Sequence, residues 1–162
     1  MRLITVIDAS ENGNYLVISV FAIEEGRVNQ IFQMARRWIK HSKKLGRKKA
    51  GYYEAFPQRF APIRELSYYS NAFRIKKRIK AKEFPKSFYN AIDKLVPESS
   101  LIIVDNKIYT LLTSRYPGMK NRIIQEGNVK KDRYPLLVLT LIADNIANYV
   151  RLYGDYKTIR KE

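Results

Sequence analysis

Three aspartates of this 162-residue chain lie in apolar segments, where a carboxylate needs a partner. Asp8 follows the strand-forming run "LITVI", Asp105 follows "LIIV", and Asp144 lies at the centre of "LLVLTLIADNIANYV". Charged side chains are rarely buried unless they are paired or bind a metal. If the two strands are adjacent and the helix packs across their rim, the three carboxylates meet and repel one another unless a cation lies between them. An all-oxygen site of this kind suits Mg²⁺ or Mn²⁺.

Each aspartate taken alone has an ordinary structural interpretation. An aspartate after an apolar strand is often a turn residue or a helix N-cap, and Asp105 could cap a helix that begins near Lys107. Asp144 could pair with one of the many lysines and arginines, or reach solvent at an edge of its helix. The combination of the three motifs, rather than any one of them, favours a metal site.

The chain is strongly basic, with 31 lysines and arginines against 15 aspartates and glutamates and a formal net charge of +16. This balance predicts a polyanionic partner, with nucleic acid ahead of an anionic membrane. Basic segments at 35–49 and 74–86 are typical of phosphate contacts that ignore base sequence; the alternative is solvated faces of ordinary helices. The predicted nucleic-acid-binding residues are Arg36, Arg37, Lys40, Lys43, Lys44, Arg47, Lys48, Lys49, Arg74, Lys76, Lys77 and Arg78. Nothing in these segments distinguishes DNA from RNA.

The residue inventory excludes several kinds of chemistry. The chain has no cysteine, which excludes disulfides, thiolate zinc sites and a cysteine nucleophile. A single histidine, His41, disfavours a histidine-rich metal site and a Ser-His-Asp triad. No apolar run approaches the roughly 20 residues of a membrane helix, and the amino terminus has no signal-peptide pattern. We expect a soluble cytoplasmic protein with no membrane partner. A homodimer is compatible with the sequence. The composition suits a thermophilic archaeon or its virus.

Hydrophobic periodicity predicts an α/β fold. Asn12-Gly13 is a hairpin signal, because both central residues of a type I′ turn need positive φ, and it joins two apolar runs into an antiparallel pair. From Val28 the apolar spacing becomes that of a helix with a basic stripe, expected to end at Gly46; a strand at 27–33 is the competing prediction. The predicted order is strands at 2–9 and 15–25, a helix at 28–45, an irregular basic and aromatic insertion at 46–64, a strand at 65–80 whose end could be helical, a helix at 85–96, a strand at 101–105, a helix at 107–115, a strand at 121–127 and a helix at 135–154. This order predicts a single domain with helices packed on a mixed sheet.

The aspartate motifs and their order resemble the ribonuclease-H-like superfamily. Members open with an antiparallel strand pair whose first strand holds an aspartate, continue with a second acid and an aspartate on the fourth strand, and often close with an acid on the last helix. The matching segments here are "VIDAS", "IIVDN" and "LIADNIA". The chain is especially similar to a group of domains with a "FIDESG"-like opening strand and a closing helix that reads roughly "LQLADLIA", here "LTLIADNIANYV".

The resemblance implies a ribonuclease-H-like mixed sheet and a metal-dependent nuclease that acts on DNA or RNA. In such an enzyme two metal ions about 4 Å apart activate a water and stabilise the leaving oxygen of an in-line phosphodiester displacement. By this resemblance Asp8 would bridge both ions, Asp105 and Glu65 would each bind one side, and Asp144 would complete the second site.

The chain departs from the family pattern at the second acid. The family's glutamate directly after the first aspartate is Ala9 here, with Glu11 close by. Glu65 in "IRELSYY" is the preferred second acid because it enters a predicted strand, and Glu54 is the weaker candidate. The alternative function is a non-catalytic nucleic-acid-binding protein on the same fold with a degenerate acidic site. The PIN-like nuclease group, which lacks an opening hairpin, is the second choice of fold.

Overall fold

The computed structural model describes residues 2–11, 13–39, 49–76, 84–129 and 133–162. Its centre is a five-stranded sheet in the order β3-β2-β1-β4-β5. The strands are β1 (Leu3–Glu11), β2 (Tyr15–Glu24), β3 (Tyr69–Lys76), β4 (Ser99–Val104) and β5 (Ile123–Gln125). The first three strands are antiparallel neighbours, whereas β4 runs parallel to β1, and β5 runs parallel to β4. The predicted α/β class, with a mixed sheet that opens with an antiparallel hairpin, is confirmed.

Helices cover both faces of the sheet. Within the described ranges they are α1 (Val28–Ala35), α2 (Lys49–Glu54), α3 (Phe56–Leu66), α4 (Lys86–Leu95), α5 (Asn106–Arg115) and α6 (Tyr134–Tyr153). Along β1, Ile4 and Val6 point to a core shared with α1, α3 and α6, whereas Leu3 and Ile7 point to a core shared with α4 and α5. Because successive residues of a strand point to opposite faces, both faces need apolar residues, which explains the nearly continuous apolar strands. The first face is called the α6 face below.

The opening hairpin forms, but its loop differs from the prediction. In β1, Asp8 lies opposite Ser19 and Glu11 opposite Leu16, so that Asp8 lies inside the strand and not at its tip. The register centres the loop on Gly13 and Asn14, one residue later than Asn12-Gly13. Gly13 does not have positive φ, which makes the type I′ prediction wrong at that residue; Asn12 lies outside the described residues.

The first helix is shorter than the periodicity predicts, because α1 ends at Ala35 and not near Leu45. After it the Trp38 ring packs against Phe56, with ring centroids 5.5 Å apart. The backbone N–H of Ile39 donates to the Tyr52 hydroxyl at 2.9 Å, and its carbonyl accepts from the Asn145 side chain at 3.1 Å. These side-chain partners replace the hydrogen bonds of a continuing helix. Residues 40–48, with Gly46 and His41, lie outside the described residues.

The prediction of an irregular segment at 46–64 is wrong for its described part, where α2 and α3 lie. Tyr53, Phe56 and Phe60 are fully buried, and the rings of Phe56 and Phe60 stack with centroids 5.5 Å apart. A proline in the first turn of a helix is well tolerated, and Pro57 lies there in α3. The aromatic residues of this segment therefore form part of the core, and two helices bury them on the α6 face.

Two later strands are also shorter than predicted. Residues up to Leu66 belong to α3, and β3 begins only at Tyr69; residues 77–83, at the end of the predicted strand, lie outside the described residues. The strand expected at 121–127 is limited to β5, with 3₁₀ segments before it (Pro117–Arg122) and after it (Glu126–Asn128). The 3₁₀ turn Glu126–Asn128 begins directly after β5. Because β5 and β4 are parallel, it lies at the same end of the sheet as Asp105, which directly follows β4.

The last helix crosses the sheet on the α6 face. Helix α6 packs against β1 and β2, and the Ser19 hydroxyl donates to the Ala143 carbonyl at 2.7 Å. Gly154 ends the helix with φ 65°, the left-handed conformation that glycine adopts without strain. By length and composition α6 could cross a membrane, but most of it is buried inside the protein, as in the core helix of a folded domain. Since Ser19 lies opposite Asp8, this contact places Asp144 close to Asp8.

Candidate metal centre

Three carboxylates meet where β4 and β5 end beside the parallel strand β1. Asp8 lies in β1, Asp105 directly follows β4, and Glu126 directly follows β5. The Asp105 backbone N–H donates to the Ile7 carbonyl at 2.9 Å, which extends the parallel ladder by one step and brings Asp105 beside Asp8. Carboxyl ends of parallel strands are where α/β sheets bind ligands, since the loops that follow them converge.

The geometry of the three carboxylates fits a divalent cation. One oxygen each of Asp8, Asp105 and Glu126 lies within 4.8 Å of the other two, and this is the one such group found in the described ranges. The Asp8 side chain is 5% exposed, and the other two are half-buried. The donors are all carboxylate oxygens, the set that Mg²⁺ and Mn²⁺ prefer. The residues present therefore fit the cation that the sequence predicts.

Burial and neighbouring carboxylates both act against the charge of Asp8. Burial raises the pKa of the Asp8 carboxyl well above its ordinary value, because a charged form loses its hydration there. The nearby charges of Glu126, Asp144 and Asp105, and a side-chain hydrogen bond with Asp105, raise this pKa further. A divalent cation between these groups would reverse the repulsion that raises it.

Asp105 serves two structural purposes. Its Oδ1 accepts a hydrogen bond from the Lys107 backbone N–H at 2.8 Å, so it is the N-cap of α5, as the alternative interpretation predicted. The same carboxyl group takes part in the cluster with Asp8. Because a carboxylate has two oxygens and several lone pairs, the cap and a metal bond are compatible.

Asp144 approaches the cluster from α6 without joining its closest group. It lines the same cleft as Asp105 and Glu126, and its charge contributes to the raised pKa of Asp8. The Asn148 amide donates to Asp144 Oδ1 at 3.2 Å and to the Asp144 carbonyl at 2.8 Å. The structure thus brings the three aspartates of the sequence motifs to one place, with Asp144 at its edge.

A buried network holds the amide that contacts Asp144. The Ser10 hydroxyl donates to Asn148 Oδ1 at 2.7 Å, and the Arg151 guanidinium donates to the Ser10 hydroxyl at 2.8 Å and to Asn148 Oδ1 at 3.1 Å. Ser10 lies on β1, two residues after Asp8 and on the same face of the sheet. The network therefore fixes α6 relative to the strand that carries Asp8.

The predicted second acids lie elsewhere. Glu65 belongs to the last turn of α3, not to a strand, and its side chain is exposed; its backbone carbonyl accepts a hydrogen bond from Lys161. Glu54, at the end of α2, is exposed as well. Glu11, at the end of β1, forms an ion pair with Lys107. None of these three carboxylates belongs to the group within 4.8 Å.

Glu126 is the cluster member that sequence analysis missed. It follows Ile123, Ile124 and Gln125, so one polar residue separates this acid from its apolar run, whereas Asp8 and Asp105 follow theirs directly. The strand before it has only three residues and gives a weak signal. A search that allowed one polar residue between a short apolar run and an acid would have found it.

Four of the predicted nucleic-acid-binding residues have described side chains. Arg36 and Arg37, just after α1, and Arg74 and Lys76, on the edge strand β3, are exposed. The Arg74 guanidinium lies 4.0 Å from the centre of the Tyr15 ring. Residues Lys40, Lys43, Lys44, Arg47, Lys48, Lys77 and Arg78 lie outside the described residues, and nothing is described of the Lys49 side chain.

Comparison with known proteins gives structural similarity only. No protein-family model matches the chain, and no curated protein sequence matches it. Among solved structures, the ribonuclease H2 from Pyrococcus horikoshii OT3 is similar at 15% identity and a TM-score of 0.49, over 98% of this chain and 92% of that one. The RNase HII in a PCNA complex from Archaeoglobus fulgidus is similar at 16% identity and a TM-score of 0.48, over 93% and 72%. A mutant of Bst-RNase HIII is similar at 14% identity and a TM-score of 0.49, over 98% and 57%.

Proposed function

We propose that this protein is a metal-dependent nuclease that hydrolyses phosphodiester bonds of DNA or RNA. The observation that carries the proposal is the convergence of Asp8, Asp105 and Glu126 within 4.8 Å, where β4 and β5 end beside Asp8 of the parallel strand β1. A buried carboxylate among other carboxylates is costly to keep without a cation, and folds retain such strain mainly at functional sites. Glu126 takes the place that the sequence analysis gave to Glu65.

The charge distribution supports nucleic acid as the substrate. A carboxylate cluster would repel a phosphodiester, but a divalent cation held there attracts the phosphate and can activate a water for its hydrolysis. Asp8, Asp105 and Glu126 would hold the cation, and Asp144 lies beside them, oriented by Asn148. The rest of the chain is basic enough, at +16 overall, to bind the polyanion outside the cluster.

Cleavage assays test the proposal directly. End-labelled single- and double-stranded DNA and RNA are incubated with Mg²⁺ or Mn²⁺ and with wild type, Asp8→Asn, Glu126→Gln or the control Glu65→Gln. We expect cleavage by wild type and Glu65→Gln, and a loss of at least about a hundredfold in the two cluster variants, since each removes a charged metal ligand. Cleavage that persists undiminished in Asp8→Asn would remove the cluster from the mechanism.

The second candidate function is a nucleic-acid-binding protein that does not cut. Ala9 favours it, because the residue after the first aspartate cannot supply the acid that the family pattern has there. In that case Mn²⁺ still raises the melting temperature, since a ligand that binds only the folded state stabilises it. No substrate is cleaved, however, and Asp8→Asn barely changes the affinity for nucleic acid. A homodimer and a cytoplasmic location stay predictions, and the sequence favours neither DNA nor RNA.

A further inference from the structure

A cleft of about 670 Å³ opens beside the carboxylate cluster. Asp105, Glu126 and Asp144 form one end of its lining. Its remaining walls are mainly apolar and include Val129, Tyr134, Leu137, Val138 and Leu141. This volume lies within the range of pockets that hold small organic ligands. The cleft therefore joins an acidic end, suited to a metal and a phosphate, to an apolar wall.

The apolar wall is a stripe along α6 that the described part of the chain leaves partly exposed. Tyr134, Leu137, Leu141 and Asp144 follow one another at spacings of three and four residues, so they lie on one side of the helix. Leu137 and Leu141 are only half-buried, although most of α6 is buried, and Tyr134 is 50% exposed. From Tyr134 to Asp144 the stripe measures about 15 Å along the helix axis. It leads from an exposed aromatic ring to the carboxylates.

The aromatic ring at the start of the stripe is held by packing. The Phe32 ring of α1 meets the Tyr134 ring edge to face, with centroids 5.5 Å apart. A ring that is fixed in this way and half-exposed loses little conformational freedom when a flat partner stacks on it. Nucleobases are such partners, and stacking on aromatic side chains does not depend on which base is present.

We propose that this cleft binds the base of an unpaired nucleotide next to the phosphodiester at the carboxylate cluster. The substrate class is then single-stranded or locally unpaired nucleic acid. The inference rests on the proposed function, because the cluster has to hold the phosphate of the same strand. In a duplex the faces of the bases are stacked on their neighbours and their edges are paired, so a base reaches the cleft only after it leaves the helix. A phosphate at the acidic end and a base on the apolar stripe match the two halves of the cleft.

Binding measurements with matched variants test this assignment. The probes are fluorescent oligonucleotides of equal length: a single strand, the corresponding duplex, and a chain of abasic residues that keeps the charge but has no bases. All measurements leave the cluster residues unchanged and use Ca²⁺ in place of Mg²⁺ or Mn²⁺, so that a cation is present for the phosphate, and gel electrophoresis checks that no strand is cut. Tyr134→Ala is compared with Tyr153→Ala, since Tyr153 is 46% exposed on the same helix but lies outside the cleft. Leu137→Ala, compared with Leu152→Ala, provides a second pair for the apolar wall.

We expect Tyr134→Ala to weaken binding of the single strand at least about fivefold, the effect of losing one stacked base. Binding of the duplex and of the abasic chain should not change, and neither should any affinity of Tyr153→Ala. An equal loss for all three probes, or a loss no greater than that of Tyr153→Ala, overturns the assignment. If Tyr134→Ala weakens binding only of the single strand with bases, and the wild type cuts no substrate, the cleft assignment stands and the proposed nuclease activity is wrong. The failure of one proposal is therefore distinguishable from the failure of the other.

Discussion

Asp8 combines two properties that conflict in the absence of a cation: it is buried, and other carboxylates surround it. Its pKa is raised well above the ordinary 3.8, first by burial and then by Glu126, Asp144 and Asp105. Unfolding returns the side chain to water and its pKa toward the ordinary value. Between that value and the raised pKa, the folded protein holds a proton that the unfolded chain has lost. The contribution of Asp8 to stability is therefore present at acidic pH and is lost as the pH rises.

Metal-free protein should consequently lose stability, in a way that depends on Asp8, as the pH rises from the ordinary pKa of 3.8 toward the raised pKa of the folded protein. We expect the free energy of unfolding in EDTA to fall with pH more steeply in wild type than in Asp8→Asn, which carries no titrating group at this position. The variant should also be the more stable protein at the upper end of this range. Urea denaturation over a series of pH values measures this. Asp93→Asn is the control, because Asp93 is exposed and its pKa is lowered by Arg115; parallel pH profiles for wild type and Asp8→Asn would contradict the prediction.

At the same scale, sequence reasoning identified three of the four acids at the site. Asp8, Asp105 and Asp144 interrupt apolar segments, and that interruption is visible in one dimension. Glu126 follows a strand of only three residues, and Glu65 has an equally plausible position in the sequence. The choice between them depends on which rim of the sheet each acid reaches. That is decided by the α3 helix, which places Glu65 before β3 begins.

At the scale of elements, side chains from α6 determine how neighbouring segments end and pack. Asn145 binds the Ile39 carbonyl and accepts from the Tyr52 hydroxyl at 2.5 Å, so one α6 residue holds both the chain after α1 and the α2 segment. Periodicity predicted a helix through this region because Trp38 and Ile39 continue the apolar spacing. It could not show that distant side chains satisfy their backbone. Such tertiary hydrogen bonds explain why α1 stops at Ala35.

The link between β1 and α6 leads to a prediction about metal binding. Arg151 donates to Ser10 on β1 and to Asn148, whose amide donates to Asp144. Arg151→Lys keeps the charge but loses the planar fork that reaches both partners at once. We expect Mn²⁺ affinity to fall about tenfold, the usual effect of losing a partner that orients a metal-binding carboxylate.

Isothermal titration with Mn²⁺ measures that change. The matched control is Arg160→Lys, because Arg160 is exposed and lies beyond the end of α6. A purely structural effect would lower the melting temperature of the metal-free protein and leave the Mn²⁺ affinity unchanged. Equal Mn²⁺ affinities for wild type and Arg151→Lys would show that the network does not orient Asp144 for the metal.

At the scale of the whole molecule, a mixed sheet covered by helices was predictable in outline, and the positions at which its strands end were not. The hairpin signal and the alternation of apolar strands with helices define a mixed sheet with covered faces. Side-chain periodicity in β1 assigns Asp8 to one face, and only the packing of α6 on that face brings Asp144 to it. The same arrangement leaves a local negative site in a chain with net charge +16.

That overall charge predicts how nucleic-acid binding depends on salt. Each phosphate contact made by a lysine or arginine releases a counterion, so the logarithm of the affinity for a single strand falls with the logarithm of the salt concentration by about 0.7 per contact. Arg36 and Arg37 are exposed after α1, which packs beside α6 on the face with the carboxylates. If both contact phosphates, replacing both by glutamine should reduce the slope by about 1.4.

Fluorescence anisotropy over a series of NaCl concentrations, with EDTA and a short single strand, gives that slope. The control replaces Lys94 and Lys120 by glutamine; both are exposed beside the core shared with α4 and α5, on the other face of the sheet. The two double variants have the same net charge, so a long-range effect of charge alone would change both affinities equally. A smaller slope for the arginine variant only would assign the phosphate contacts to the carboxylate side. Equal slopes for wild type and both variants would remove Arg36 and Arg37 from the interface, and an affinity independent of salt would remove nucleic acid as the partner.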